Sequence, residues 1–210
     1  MTNKEKVNIL LHFLDELFPN AGCELNYSKD YELVIAVMLS AQTSDKSVNK
    51  VTDVLFNKYQ SLDELNNASL EDIESIIKSI GLYQNKAKNL KGIVNDLITR
   101  FNYKVPHDKN ELMTLPGVGN KTAGVIRAEL FKIPELPVDT HVERIAKRFR
   151  FAKEKDTPLD VENKLKKLIN KERWIKTHHQ LIHFGRYFCK AKNPSCKLCK
   201  VKHICSYFEK

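Results

Sequence analysis

The sequence predicts an all-α protein. Apolar residues recur at helical spacing over most of the 210 residues, and helix-start signals stand in front of several of those stretches. Only seven Gly and seven Pro are present, too few for the turn density of a strand-rich sandwich or barrel.

Taken in order, Leu10, Leu11, Leu14, Leu17 and Phe18 form the first apolar face. Residues 33–39 are apolar nearly all round and predict a buried central helix, although Val34, Ile35 and Val37 leave a strand open. Leu70, Ile73, Ile76, Ile77 and Ile80 make another stripe. Ser69 stands in front of it with Asp72 three residues on, a capping-box pattern, and Gly81 is placed to stop the helix. Leu90, Ile93, Val94, Leu97 and Ile98 form the next face. Thr157-Pro158-Leu159-Asp160 predicts a late helix start, with Thr157 as cap and proline in the first turn. Two prolines within residues 132–137 place a domain boundary there. No internal repeat, low-complexity linker or heptad array interrupts the pattern.

Length alone predicts one or two domains, and 42% apolar residues suffice for a core. The longest strictly apolar run, residues 33–39, is far shorter than the about 18 residues of a membrane span. Met1-Thr2-Asn3-Lys4-Glu5-Lys6 is unlike a signal peptide, so the expectation is a soluble, intracellular chain. The net charge of +9 fits either plain solubility or a polyanionic partner such as nucleic acid. Its distribution favours the partner: Lys and Arg crowd residues 164–202, while acidic residues gather in 53–74.

Two motifs carry chemistry. In Leu115-Pro116-Gly117-Val118-Gly119-Asn120-Lys121-Thr122-Ala123, two glycines flank one apolar residue between short helical patterns. Such a turn can aim backbone N–H groups at an anion, here a DNA phosphate, or it can simply be a packing corner where glycine relieves sterics. The second motif is Cys189, Cys196, Cys199 and Cys205, spaced Cys-x6-Cys-x2-Cys-x5-Cys. Without a secretion signal disulfides are disfavoured, and four thiolates suit tetrahedral zinc and an iron–sulfur cubane equally. Cys23 stands apart and reads as a small buried hydrophobe.

The hairpin string resembles the helix–hairpin–helix of DNA glycosylases in the endonuclease III family, and the cysteine spacing resembles the 4Fe–4S motif of the same family. The likeness runs from about Leu10 to Tyr207. It includes Leu39-Ser40-Ala41-Gln42-Thr43-Ser44-Asp45, Ile80-Gly81-Leu82-Tyr83 with Lys86-Ala87, Val138-Asp139-Thr140-His141-Val142 and His183-Phe184-Gly185-Arg186. The resemblance implies a helix-hairpin-helix DNA glycosylase fold. Its parts are a six-helix barrel lobe over residues 23–134 with the hairpin at about 108–128, and an iron–sulfur lobe from 1–22 together with 135–210. The cluster loop spans 189–205, and a DNA-binding cleft lies between the lobes.

It further implies a bifunctional DNA glycosylase and abasic-site lyase of base excision repair, acting on oxidised pyrimidines in duplex DNA. Lys121 matches the catalytic lysine, forming a Schiff base at the sugar C1′ and nicking 3′ to the site by β-elimination. The positive end of a helix and partial desolvation are expected to lower its pKa. Asp139 matches the catalytic aspartate, although a plain helix N-cap is the alternative. Gln42 fills the space of the flipped base and Leu82 wedges the opposite strand, where a core leucine is the alternative. Gly117, Val118, Gly119, Asn120 and Lys192 face DNA, and His141 and Ser40 line the pocket or serve as structural hydrogen-bonding residues. Cys189, Cys196, Cys199 and Cys205 hold a 4Fe–4S cluster. The expected partner is double-stranded DNA bearing damaged pyrimidines or abasic sites, bound by a monomer in the bacterial cytoplasm, with no membrane. Asn120 stands where many relatives carry Arg, and Gly124, Arg127 and Glu143 also depart from the usual pattern. Two rivals remain at this point. A monofunctional mismatch glycosylase usually lacks the lysine. A non-catalytic module with a zinc knuckle needs neither Lys121 nor Asp139.

Overall fold

The computed structural model describes residues 1–208, and every regular element among them is helical. Contacts divide the chain into two compact units, one of Glu24–Phe131 and one of Met1–Cys23 with Lys132–Lys210. Positions 209 and 210, which the family resemblance places in the iron–sulfur lobe, lie outside the described residues.

The chain opens with α1 (Asn3–Leu17), started by a capping box in which Thr2 and Glu5 bond each other's backbone N–H. It then builds the 24–131 unit. There α2 (Asp30–Leu39) is the centre, because residues 33–39 are buried on every face. The strand alternative for this run is overturned. Glu32 reaches back to the N–H groups of Ser28 (2.7 Å) and Lys29 (3.1 Å), which closes the first helical turn. Around α2 lie α3 (Asp45–Lys58), α4 (Leu62–Asn67), α5 (Leu70–Ile77), α6 (Tyr83–Thr99), α7 (Lys109–Met113) and α8 (Asn120–Phe131). Each fully buried Leu or Ile from these helices stabilises the unit by about 1.5–3 kcal/mol.

Two expectations at α5 need correction. Ser69 does accept the Asp72 N–H at 3.1 Å, but the reciprocal half of the capping box is missing. The Asp72 carboxylate turns instead to the Lys58 ammonium (2.6 and 2.7 Å) and the Tyr59 hydroxyl. Nor does Gly81 supply a left-handed stop. The helix is capped at Lys78, and the left-handed conformation falls on Leu82, with φ 57°.

The other unit packs α1 with α9 (Thr140–Arg148), α10 (Pro158–Leu168) and α11 (Trp174–His183), the last continuing through a π turn at Phe184–Phe188. Its core includes Leu10, Leu14, Val142, Ile145, Phe149, Val161, Leu165 and Phe184. The start of α10 follows the sequence pattern, with a Thr157–Asp160 capping box and Pro158 in the first turn. Asp15 ties α1 to the last stretch of the unit by accepting from Arg173 (2.9 Å), Lys176 (2.8 Å) and Gln180 (3.0 Å). Cys23 is half-buried rather than a core residue.

Candidate active site and nucleic-acid interface

Asp108 caps α7 by accepting from the N–H groups of Asn110 and Glu111. The turn that follows closes with Val118 N–H donating to Leu115 O at 3.1 Å. Gly117 sits at φ 74°, and a Cβ there would stand 2.6 Å from Asn89 Nδ2 and 3.1 Å from Met38 Cγ. The positive φ favours glycine, and any side chain there would also have to displace the Asn89 amide. Gly119 differs: a Cβ on it would meet nothing within 4 Å, so its backbone is open to a group from outside. Val118 is buried and anchors the turn by its side chain, and its N–H is already donated within the turn. Asn120 and Lys121 are exposed at the start of α8, where the leading amides have no intrahelical acceptor. The partial desolvation expected of Lys121 is not supplied by its own surroundings.

Helix α6 serves both this hairpin and a second feature. Asn89 faces Gly117, and a Cβ at Gly92 would stand 2.7 Å from Pro116 Cγ, so α6 and the hairpin approach closely. At the other end of α6, Leu82 is 62% exposed, which removes the core-leucine alternative. Gln42 is also exposed, with φ 56°. Left-handed backbone at Leu is unfavourable by about 1–2 kcal/mol, and an exposed leucine returns no burial energy for it. Lys86, one turn into α6, donates to Ala41 O and Thr43 Oγ1, both at 2.8 Å. Burial pushes its amine below the ordinary lysine value. Ser40 lies at the end of α2, and its hydroxyl donates to Val37 O at 2.8 Å.

In the other unit, Asp139 precedes α9 in extended backbone. Its Oδ1 accepts from both His141 N–H and Val142 N–H at 2.8 Å, while Oδ2 accepts no hydrogen bond among the described residues. The residue is thus an N-cap with one carboxylate oxygen to spare. His141 is half-buried beside Arg144, whose Nη2 lies 3.3 Å from His141 Nδ1 and donates to Gly185 O at 2.8 Å. Burial lowers the imidazole pKa, against the opposing pull of Asp139, which favours the neutral ring near pH 7. Gly185 is packed against this histidine, since a Cβ there would come within 2.8 Å of His141 Cβ.

No described cysteine forms a disulfide. Cys189, Cys196, Cys199 and Cys205 line one apolar cavity together with Phe149, Phe184 and Phe188. Burial pushes the Cys199 thiol up to about 11 and raises that of Cys189. Arg148 bridges the two ends of the loop. Its guanidinium donates to Cys189 Sγ (3.0 Å), Lys190 O (2.8 Å) and Ala191 O (3.2 Å), and its carbonyl accepts from Ser206 N–H at 3.0 Å. Among the described residues no three His, Cys, Asp or Glu side chains converge tightly enough to hold a single ion. The donor set still fits a thiolate-bound group: four sulfurs share one cavity, and a cation already donates to one of them. Lys190, Lys192, Lys197, Lys202 and His203 are exposed around the loop, whereas Lys200 pairs with Glu16 of α1 at 2.7 Å.

Of the expected residues, the 24–131 unit brings together the hairpin, Leu82 and Gln42 through α6, and the other unit brings together Asp139, His141 and the cysteine loop through α9. Lys86 and Arg148 have no role in the sequence reading. Lys86 could have been found, because it occupies a position on the apolar stripe of Leu90, Ile93 and Leu97 where a charge is out of place.

The family described as HhH-GPD superfamily base excision DNA repair protein matches residues 35–171. Over 205 residues the chain is 45% identical to Endonuclease III of Bacillus subtilis (strain 168), covering 98% of this chain and 94% of that one. The chain belongs to the endonuclease III family. Solved structures agree with that membership. A non-covalent Endonuclease III–DNA complex superposes with a TM-score of 0.96 at 46% identity, spanning all of this chain and 98% of the other. A trapped covalent Endonuclease III–DNA intermediate, the estranged-adenine complex, gives the same score, identity and coverage.

Proposed function

We propose that this protein is a bifunctional DNA glycosylase and abasic-site lyase of base excision repair, acting as a monomer on duplex DNA with oxidised pyrimidines or abasic sites. The observation that carries it is Lys121, exposed as the second residue of α8 just after the left-handed turn at Gly117. Family membership over nearly the whole chain supports the reading.

The neutral amine of Lys121 attacks C1′ of the damaged nucleotide, and the bond from C1′ to the base breaks as the base leaves. The nitrogen and the ring oxygen now share C1′; the C1′–O4′ bond breaks, O4′ keeps the electron pair and takes up the proton the amine gave to Asp139, and a protonated Schiff base results. That cation acidifies C2′, a proton is lost there, and the C3′–O bond breaks with the 3′ phosphate departing, which nicks the strand. A bound duplex excludes water from Lys121. Asp139 uses Oδ2, the oxygen free of capping duty, to take the lysine proton and to stabilise the cationic sugar. Gln42 fills the place of the extruded base and Leu82 wedges the opposite strand, which offsets part of the few kcal/mol of unstacking. The amides of 117, 119 and 120 and the Lys192 ammonium contact phosphates, and His141 lines the pocket as a neutral ring.

We assign the residues 24–131 to a hairpin-bearing barrel lobe and the remainder to an iron–sulfur lobe with its loop at 189–205. Cys189, Cys196, Cys199 and Cys205 would hold a 4Fe–4S cluster. Four thiols lining one cavity fit a thiolate-bound group, and the family likeness favours the cluster over zinc. Bound there, the cluster would tie the two ends of the 189–205 loop together through thiolate bonds. The test is strand nicking on a duplex with one thymine glycol. Wild type nicks it, while Lys121→Gln binds it and leaves it intact; nicking by the variant would remove Lys121 from the reaction.

A further inference from the structure

Lys86 has no part in the chemistry above, yet it is only 5% exposed. A buried ammonium is tolerated only where acceptors meet it, and a cation in the first turn of a helix also stands at the wrong end of the macrodipole. Methionine or leucine would continue the apolar stripe of α6 at this position without either cost. What the ammonium provides instead is a pair of bonds to Ala41 O and Thr43 Oγ1, both at 2.8 Å, on either side of Gln42. The backbone N–H of the same residue donates to Leu82 O at 3.0 Å. One residue therefore bonds both the loop that presents Gln42 and the residue Leu82 itself. Gln42 and Leu82 are exposed side chains on left-handed backbone, at φ 56° and 57°. Such conformations persist only where the surroundings over-determine them.

We propose that Lys86 is a positioning residue that locks the Gln42 loop and the Leu82 turn into one unit, so that filling the lesion strand and wedging the opposite strand occur together. This rests on the roles assigned above to Gln42 and Leu82. Deletion of the ammonium leaves each group present but frees the 41–43 loop from α6, so that the two insertions become separate, weaker events.

The experiment compares wild type with Lys86→Met, Gln42→Ala, Leu82→Ala and the double variant Lys86→Met/Gln42→Ala under single-turnover conditions. The substrate is a thymine glycol duplex carrying 2-aminopurine beside the base opposite the lesion, whose fluorescence rises on unstacking. Lys86→Met is expected to slow base removal by about tenfold or more and to abolish the fluorescence rise. Adding Gln42→Ala should then slow it little further, because the two changes remove one shared event. Wild-type rate and fluorescence in Lys86→Met, or fully multiplicative effects in the double variant, would overturn the proposal. Thr43→Val removes one acceptor only and should move both readouts in the same direction, which keeps the test decisive should Lys86→Met not fold. Slow Gln42→Ala and Leu82→Ala beside a fast Lys86→Met defeats the locking role alone. Wild-type rates in Gln42→Ala and Leu82→Ala defeat their assigned roles, and the locking role falls with them.

Discussion

Asp139 accepts both cap hydrogen bonds on one oxygen: Oδ1 holds the first amides of α9, and Oδ2 is the oxygen proposed above for the chemistry. The division predicts that cap and catalysis separate by mutation. Asp139→Asn keeps an acceptor at Oδ1 and should leave the unfolding midpoint nearly unchanged while slowing base release by about a hundredfold or more. Asp139→Ala should lose base release and also about 1 kcal/mol of stability. Equal turnover in Asp139→Asn and wild type would reduce the residue to a cap. Gly117 offers the converse case, a position set wholly by backbone. Gly117→Ala strains φ 74° and drives a methyl into Asn89, so a denaturant titration should find it about 2 kcal/mol less stable.

Helix α6 shows how much can depend on one element. Leu82 opens it, Lys86 bonds the Gln42 loop, and Asn89 and Gly92 receive the hairpin. The apolar face of this helix was legible from Leu90, Ile93, Val94 and Leu97, and so was the hairpin string. The left-handed turn at Leu82 was not, because glycine at 81 is the residue that local propensity selects for it, and tertiary bonding overrides that preference. The half-formed capping box at Ser69 has a similar cause: Lys58 and Tyr59, distant in sequence, compete for the Asp72 carboxylate. Burial alone would raise the pKa of the Asp15 carboxyl, but hydrogen bonds from Lys176, Gln180 and Arg173 outweigh it and hold the carboxyl well below its usual range. Because the folded pKa is depressed, this stabilisation is complete above the ordinary carboxylate value of about 4 and is lost as pH falls below it. Asp15→Asn should thus unfold earlier than wild type at pH 7, by about 1 kcal/mol, with the gap closing in thermal melts taken progressively below about pH 4.

Over the whole chain, composition and periodicity were enough for the helical class, and the ordered motifs were enough for the family, which the match over residues 35–171 and the 45% identity then bear out. What sequence did not disclose was which glycine of the hairpin is sterically required and which oxygen of Asp139 is free. Both depend on neighbours brought in by folding: Asn89 and Met38 in the first case, two backbone amides in the second. The net charge of +9 has a measurable consequence. Affinity for undamaged duplex should fall steeply between low and physiological salt, and Lys192→Ala should reduce the log–log salt slope by about one without changing lesion preference. An unchanged slope would take Lys192 off the DNA backbone.

Borohydride trapping on a duplex with a ready-made abasic site tests the covalent reaction through Lys121 without depending on base preference. Wild type should give a protein–DNA adduct stable to denaturation, and Lys121→Gln should give none while still binding the duplex. An adduct of equal yield in both proteins, or none in either despite tight binding, would contradict a Schiff base at Lys121.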